Sequence, residues 1–404
     1  VFFNDSAEMI KHEWRNTNQV LVIYTPAIKQ GALLNYFKEK GYTLSKRANM
    51  LGLIFNRYKG LAVAGTHGKT TTSAILSHIL FVAGFPMAAF VGGVLKNYNA
   101  NFLINANPEW VVAEADEFDR SFLQLEPKYA VITAADPDHL DIYENAENFK
   151  QAFIDFSGKV KEYLLVSNTL DRKMFKNSNL YTYGIEGNAD YSAKNIKFDD
   201  SGYIFDIHFP DAQVWEAVKL GIFGIINVQN ALAATILAIQ AGVEQKDIRE
   251  ALGTFSGIRR RFDIWFDNGK MALVDDYAHH PQEILALYKG LRHIFAGRKL
   301  VAIFQPHLYS RTRDFANEFA DVLSLFDEQV VLPIYPAREM PIPGVESIML
   351  VEKILGNNKR LMQKSEISAF LAEYNKTAVF VTIGAGDIDK ELEKWCQILK
   401  NPTL

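Results

Sequence analysis

The chain is nearly without cysteine. Cys396 stands alone among 404 residues, which excludes intramolecular disulfides and CxxC metal sites. A reducing, cytoplasmic setting is therefore the expectation. Bulk positive charge is missing too. A net charge of −4 speaks against a nucleic-acid partner, while leaving room for local basic pockets. The uncharged stretch from Ile79 to Leu95 is short for a membrane span and is broken by Gly84, Pro86, Gly92 and Gly93. It reads as a helix end, a turn and a strand, so no membrane partner is expected. No secretory signal opens the chain. A dinucleotide fingerprint is absent as well. Gly384-Ala385-Gly386 comes nearest, but Asp389 occupies the place of the third glycine, which argues against an NAD-dependent dehydrogenase.

What is present suits several ordinary cores. The residues are 49% apolar and 22% charged. The chain is long enough for about two to four domains.

One stretch organises the rest. Leu61 to Ala64 reads as a buried strand, Gly65-Thr66-His67-Gly68 as a tight turn, and Lys69-Thr70-Thr71-Thr72 as the start of a helix that ends near Gly84. Glycines let backbone N–H groups converge on phosphate oxygens, and the helix N-terminus adds positive potential. Lys69 would reach the terminal phosphates of ATP, and Thr70 would offer a hydroxyl to Mg2+. The longer phosphate-loop pattern has an earlier glycine, and Val63 stands there. The alternative is a Gly-rich turn that binds nothing, but a lysine and three threonines are poor packing material.

Other polar groups also collect after strand-like runs. Trp110 to Ala113 leads into Glu114, Asp116 and Glu117, and Ala130 to Thr133 leads into Asp136, Asp138, His139 and Asp141. Carboxyl ends of strands are where open α/β sheets hold ligands. Glu114 and His139 are candidates for Mg2+ or phosphate-linked work. Magnesium prefers oxygen, so His139 could act through water. The other reading is acidic loop caps. Residues 181–220 suggest a small antiparallel excursion. Asn227 and Asn230 lie on one helical face and either cap the helix or meet an adenine edge. Arg259-Arg260-Arg261 is either a solvated turn or a phosphate-binding junction.

From 265 onward, strands alternate with helices, which implies a parallel, doubly wound sheet. The strands are expected at 271–275, 300–305, 329–334 and 378–383, and the helices at 281–295, 312–326, 346–355 and 387–399. His67, His139, His279, His280 and His307, five of the nine histidines, fall in strand-end loops. Scattered core histidines would not concentrate this way.

Together, Gly65 to Thr71, the acids from Glu114 to Asp119, Asp138 to Asp141, Asn227 with Asn230, Arg260-Arg261-Phe262 and Asp275 to Pro281 resemble the Mur ligases. Those are ATP-dependent enzymes that build the peptidoglycan stem peptide. Glu114 to Asp119, Asp276 to Pro281 and Gln305-Pro306-His307 with Arg311-Thr312-Arg313 resemble the member that adds L-alanine to UDP-N-acetylmuramate. A rival is the member that reattaches recycled tripeptide. A nucleotide-binding module without catalysis is a further alternative.

The resemblance implies an α/β, three-domain Mur ligase architecture. Residues 1–46 would be a partial N-terminal Rossmann-like, UDP-sugar-binding domain, 47–264 a central P-loop ATPase domain, and 265–404 a C-terminal Rossmann-like, amino-acid-binding domain. The Gly-rich loop that starts the family's first domain is not present after Val1. The chain as given is therefore expected to bind UDP-sugar poorly or to be an incomplete record. Catalytic roles would fall to Lys69, Glu114 and His139, with Thr70, Glu114 and His139 holding one or two Mg2+ ions, Mn2+ being an alternative. ATP would meet Gly65, Thr66, His67, Gly68, Lys69, Thr70, Thr71, Asn227, Asn230, Arg260, Arg261 and Asp275. Tyr277, His279, His280 and Arg311 would receive the amino acid, and either His279 or His280 could take the amine's proton. Two departures stand out: Ile226 where the family commonly has histidine, and Leu308 where many members have arginine. The assembly would be a monomer or homodimer.

Overall fold

The computed structural model describes residues 5–25, 28, 31–136, 143–175, 177–199, 202–337 and 339–400. Three sheets carry the fold. The first is a parallel pair, β1 (Leu21–Tyr24) and β2 (Thr43–Lys46), with the helix Ala32–Glu39 between them. Four strand residues each are too few to enclose a core, and Leu21 and Ile23 remain exposed. The helix Arg47–Phe55 leads from this pair into the second sheet.

The second sheet has ten strands. They are β3 (Lys59–Ala64), β4 (Met87–Leu95), β5 (Ala100–Ile104), β6 (Trp110–Ala115), β7 (Tyr129–Ile132), β8 (Tyr163–Ser167), β9 (Leu180–Gly184), β10 (Tyr191–Asp199), β11 (Gly202–His208) and β12 (Val214–Leu220). Their spatial order is β12-β11-β10-β9-β8-β7-β3-β6-β4-β5. β4, β6, β3, β7, β8, β9 and β10 run parallel, and β5, β11 and β12 are antiparallel to their neighbours. The antiparallel excursion expected from 181–220 is thus an extension of the main sheet. Both faces are covered, which is why Leu61, Ala62, Val63 and Ala64 are all fully buried in a continuous apolar run. On one face lie the helices Lys69–Val82 and Ile225–Ala241, whose small residues Ala74, Ala231 and Ala234 permit close packing. On the other, Phe149, Phe153 and Phe156 of the helix Ala146–Ser157 pack around Phe122.

β3 is flanked by β6 and β7, and its crossover helix carries the chain to β4 beyond β6. That reversal of direction is a topological switch point, where the loops after neighbouring strands part and leave a crevice.

The third sheet contains β13 (Asp263–Asp267), β14 (Met271–Asp276), β15 (Lys299–Phe304), β16 (Glu328–Val331), β17 (Lys359–Leu361) and β18 (Ala378–Ile383), in the order β13-β14-β18-β15-β16-β17. It is not purely parallel, because β13 pairs antiparallel with β14. The stretch expected to be one helix over 312–326 is two, Tyr309–Asp314 and Ala316–Leu323, broken at Phe315, whose φ of −113° and ψ of 23° are not helical. A further helix, Lys364–Glu373, lies outside the expected set and is started by a capping box from Gln363 and Glu366.

Phe153 is fully buried between Phe122 and Phe149. Phe153→Ala is expected to destabilise the central domain by about 3–5 kcal/mol, through lost transfer energy and the cavity left behind. Urea denaturation followed by the near-ultraviolet signal measures this, and an unchanged midpoint would show that the site collapses freely.

Candidate active site

The turn between β3 and the helix Lys69–Val82 depends on two glycines. Gly65 has φ +130° and Gly68 φ +82°. A side chain is strained at such angles, and here there is no room for one. A methyl group at Gly65 would lie 2.1 Å from Thr133 Oγ1, and one at Gly68 would lie 2.7 Å from Asn230 Oδ1. Thr133, just after β7, pins the turn from below. Its hydroxyl approaches Ala64 O at 3.1 Å and His67 O at 2.5 Å.

Lys69 points back along the turn. Its ammonium donates to Gly65 O at 2.7 Å and to both carboxylate oxygens of Glu117, at 2.9 and 2.7 Å. Three N–H groups thus meet three acceptors. Glu117 is 2% exposed. Burial pushes its carboxyl up, and the Lys69 charge opposes that. Tyr143 donates its hydroxyl to Glu117 O at 2.6 Å and holds the segment in place.

Glu114 ends β6 beside the same turn. It accepts from Thr70 Oγ1 and Ser73 Oγ, each at 3.1 Å, and from Gly92 N at 2.5 Å. A methyl group at Gly92 would lie 2.7 Å from its carboxylate, so β4 can approach only as glycine. A hydroxyl beside a carboxylate is the donor set of a hard cation, which fits Mg2+. Among the described residues no group of three His, Cys, Asp or Glu could cage a metal. Magnesium held by one or two protein oxygens and by phosphate needs no such cage. His139, expected as a third ligand, lies outside the described residues.

Asn230 sits against the phosphate turn at Gly68, beside Asn227, and both are buried with partners for their amides within the protein. Asn227 Nδ2 donates to Phe223 O at 2.6 Å, Asn230 Nδ2 donates to Asn227 Oδ1 at 3.1 Å, and Thr72 Oγ1 reaches Asn230 Oδ1 at 3.3 Å. The pair joins two helices. Ile225 and Ile226, next in the chain, are the exposed groups there.

Asp275, expected at the nucleotide, is fully enclosed. It accepts from Thr382 Oγ1 at 2.6 Å and faces Arg260 Nε at 3.4 Å. Burial pushes its carboxyl up to about 7, against the Thr382 hydroxyl and Arg260. Arg260 is likewise turned inward, donating to Gly386 O at 3.0 Å and Gly384 O at 2.5 Å and facing Asp389 at 3.3 Å. Both groups therefore order the strand-end loops of the third sheet. Arg260 and Arg261 flank the ring of Tyr277, at 5.0 and 5.3 Å from its centre.

The loops after β14 and β15 carry Tyr277, His279, His280, His307 and Arg311. His279 and His307 have ring centres 6.3 Å apart, and His307 stacks on Tyr335 at 5.9 Å. Burial lowers both imidazoles, with Arg311 adding to the effect, and His307 falls to about 4. Nδ1 of His279 lies 3.0 Å from Tyr277 O. A carbonyl only accepts, so this contact selects the tautomer with the proton on Nδ1 and leaves the Nε2 lone pair available. His280 caps the helix Pro281–Ile294, and its ring meets the Phe315 ring at 4.7 Å.

Two acids escaped the sequence reading. Glu117 was one of several acids in its run, with nothing to mark it as the partner of Lys69. Glu283 carried a local signal, lying three residues after His280 and two after Pro281 in capping-box position. It also approaches the phosphate turn, with its Oε1 3.8 Å from His67 Nδ1.

The chain is similar to known proteins over most of its length. Residues 63–238 match the Mur ligase middle domain, and residues 260–386 match the domain described as Mur ligase, glutamate ligase domain. The UDP-N-acetylmuramate–L-alanine ligase of Cytophaga hutchinsonii is 44% identical over 400 residues, covering 97% of this chain and 85% of the relative. The enzyme of that name from Parabacteroides distasonis is 41% identical, covering 99% and 87%. Among solved structures, the UDP-N-acetylmuramate-alanine ligase of Thermotoga maritima superposes with a TM-score of 0.80 at 27% identity, covering 94% of this chain and 85% of that one. A murein peptide ligase from Psychrobacter arcticus shares the fold, with a TM-score of 0.66 at 23% identity. A glycine turn built around Lys69 and Glu114, facing histidine loops on a second sheet and matched along nearly the whole chain by such relatives, makes this chain a member of the Mur ligase family.

Proposed function

We infer that the chain is an ATP-dependent ligase that joins L-alanine to the lactyl carboxylate of UDP-N-acetylmuramate through an acyl phosphate, a step of peptidoglycan synthesis. The observation that carries the reading is the convergence of two strand-end clusters. One is phosphate-binding and centred on Lys69. The other is rich in histidine and arginine and centred on His279 and Arg311. L-alanine as acceptor is supported by the relatives at 41–44% identity, whose names specify it.

In the first step a carboxylate oxygen attacks the γ-phosphorus, and ADP leaves with the electrons of the broken P–O bond. Two anions must approach each other, so catalysis is mainly positioning and neutralisation. Backbone N–H groups of the turn and first helical turn face the phosphates. Lys69 exchanges at least one of its bonds to Gly65 and Glu117 for a phosphate oxygen. Thr70 and Glu114 would hold Mg2+, which when bound neutralises charge on the phosphates.

In the second step the amine of alanine attacks the acyl carbon. The N–C bond forms, the C–O bond to phosphate breaks, and inorganic phosphate departs. The amine's proton passes to Nε2 of His279, and Arg311 pairs with the alanine carboxylate.

Incubation with ATP, UDP-N-acetylmuramate and either L-alanine or L-alanyl-γ-D-glutamyl-diaminopimelate separates the two readings. Phosphate release and ligated product are expected with L-alanine, and product with tripeptide alone refutes the assignment. Lys69→Ala is expected to abolish substrate-dependent phosphate release while preserving the circular dichroism spectrum. Near-normal turnover in that variant removes the phosphate-loop assignment. A base works when deprotonated, and burial holds His279 below its ordinary value of 6.5, so the acid limb of kcat should lie below pH 6.5. His279→Asn should cost about 100-fold in kcat. An acid limb centred above that value would assign the proton to another group.

A further inference from the structure

The helix Pro281–Ile294 touches the central domain near both of its ends. In its last turn His293 packs against Phe198 of β10, with ring centres 4.5 Å apart at 50°. In its first turn Glu283 faces the phosphate turn. The two points lie ten residues apart, or about 15 Å along a helix. The helix therefore lies along the central domain and does not merely abut it at a corner.

Glu283 does more than a capping residue needs to do. A capping box requires it to accept from backbone N–H groups at the helix start. It does so, from His279 N at 2.9 Å and His280 N at 3.2 Å. Two further contacts have no capping purpose. Its Oε2 lies 3.5 Å from Nδ1 of His279, and its Oε1 lies 3.8 Å from Nδ1 of His67. One carboxylate thus links the phosphate turn of one domain to the amino-acid-side histidine of the other. Burial alone would raise its carboxyl, but His67, His279 and the backbone N–H groups outweigh this and hold it well below the usual range. The same pairing raises the His67 imidazole, against the effect of burial.

We propose that Glu283 is a positioning residue that couples the two half-sites, fixing the His279 loop in place when the phosphate turn docks against it through His67. The proposal rests on the ligase reading above. That chemistry explains the need for such a link. The acyl phosphate forms over the phosphate turn, while the amine is carried by the other domain. A misplacement of about 1 Å costs about 100-fold in rate. A charged residue that faces both sides makes closure and the orientation of the base a single event. His67 lies in the turn itself, so a shift of the turn is transmitted through one side chain.

The test uses the full chain and the variants Glu283→Gln, Glu283→Asp and His67→Asn. Glu283→Gln keeps an acceptor oxygen for the cap and removes the charge. It is expected to lower kcat about 100-fold and raise the KM for L-alanine, with the KM for UDP-N-acetylmuramate unchanged. Glu283→Asp, which keeps the charge, should recover part of kcat. The double variant Glu283→Gln/His67→Asn should be no slower than its slower parent, because both changes break one link. Multiplicative losses would overturn the proposal, as would a Glu283→Gln enzyme that only melts earlier with kcat intact. A second arm needs no turnover. With a non-hydrolysable ATP analogue bound, X-ray scattering should give a larger radius of gyration for Glu283→Gln than for the unaltered chain. Identical profiles would overturn the coupling. If the unaltered chain releases no phosphate with L-alanine but the scattering difference is present, the substrate assignment fails and the coupling stands.

Discussion

Bringing a carboxylate against a phosphate means forcing two anions together, and the central domain is built around that difficulty. Its answer is a nearly enclosed ammonium whose charge is balanced until phosphate arrives. The side chain of Lys69 is 15% exposed and that of Glu117 3%. An unpaired lysine at such depth would be costly or would shed its proton. Glu117 balances the Lys69 ammonium and aims it along the turn. The remaining features serve this pair. β3 must be central so that loops from β6 and β7 can flank it, Gly65 and Gly68 must lack side chains, and Thr133 must close the turn from beneath.

The third sheet solves a different problem, which is holding its histidine and arginine loops in place at the strand ends. Its loops are stiffened from inside. Arg260 sits at φ +62° and gathers the carbonyls of Gly384 and Gly386. Asp275 anchors it from below, tied to Thr382 on the adjacent strand. Lys96, just after β4, pairs with Asp263 at 2.6 Å, so the junction between the two sheets is held by charge on both sides. These contacts hold the histidine loops in a fixed orientation.

Much of this was legible in the sequence because it is local. A glycine turn before Lys69, acids after apolar strands, and histidines gathered in loops all follow from residues adjacent in the chain. What the sequence does not show is partners distant in the chain. Asn227 and Asn230 have the spacing of a ligand pair, but only the packing of the helix Ile225–Ala241 on the helix Lys69–Val82 reveals that their amides are already engaged. Asp275 reads as a strand-end acid until Thr382 and Arg260 enclose it. β13 is hidden because a five-residue antiparallel edge strand follows an arginine-rich turn and has no helix to announce it.

Leu308 shows how far the local chain can be bent to serve the site. Its φ of +70° is costly for a residue with a γ-branched side chain. Such strain persists only where the surroundings over-determine the backbone. They do here. Leu308 N donates to Tyr335 O at 3.0 Å, and Leu308 O accepts from Thr312 Oγ1 at 2.7 Å. Glu339 completes the clamp by accepting from Ser310 N at 2.9 Å. The forced turn starts the helix Tyr309–Asp314 and so sets where Arg311 emerges, where it joins Arg260 and Arg261 among the cations acting on His307 and His279.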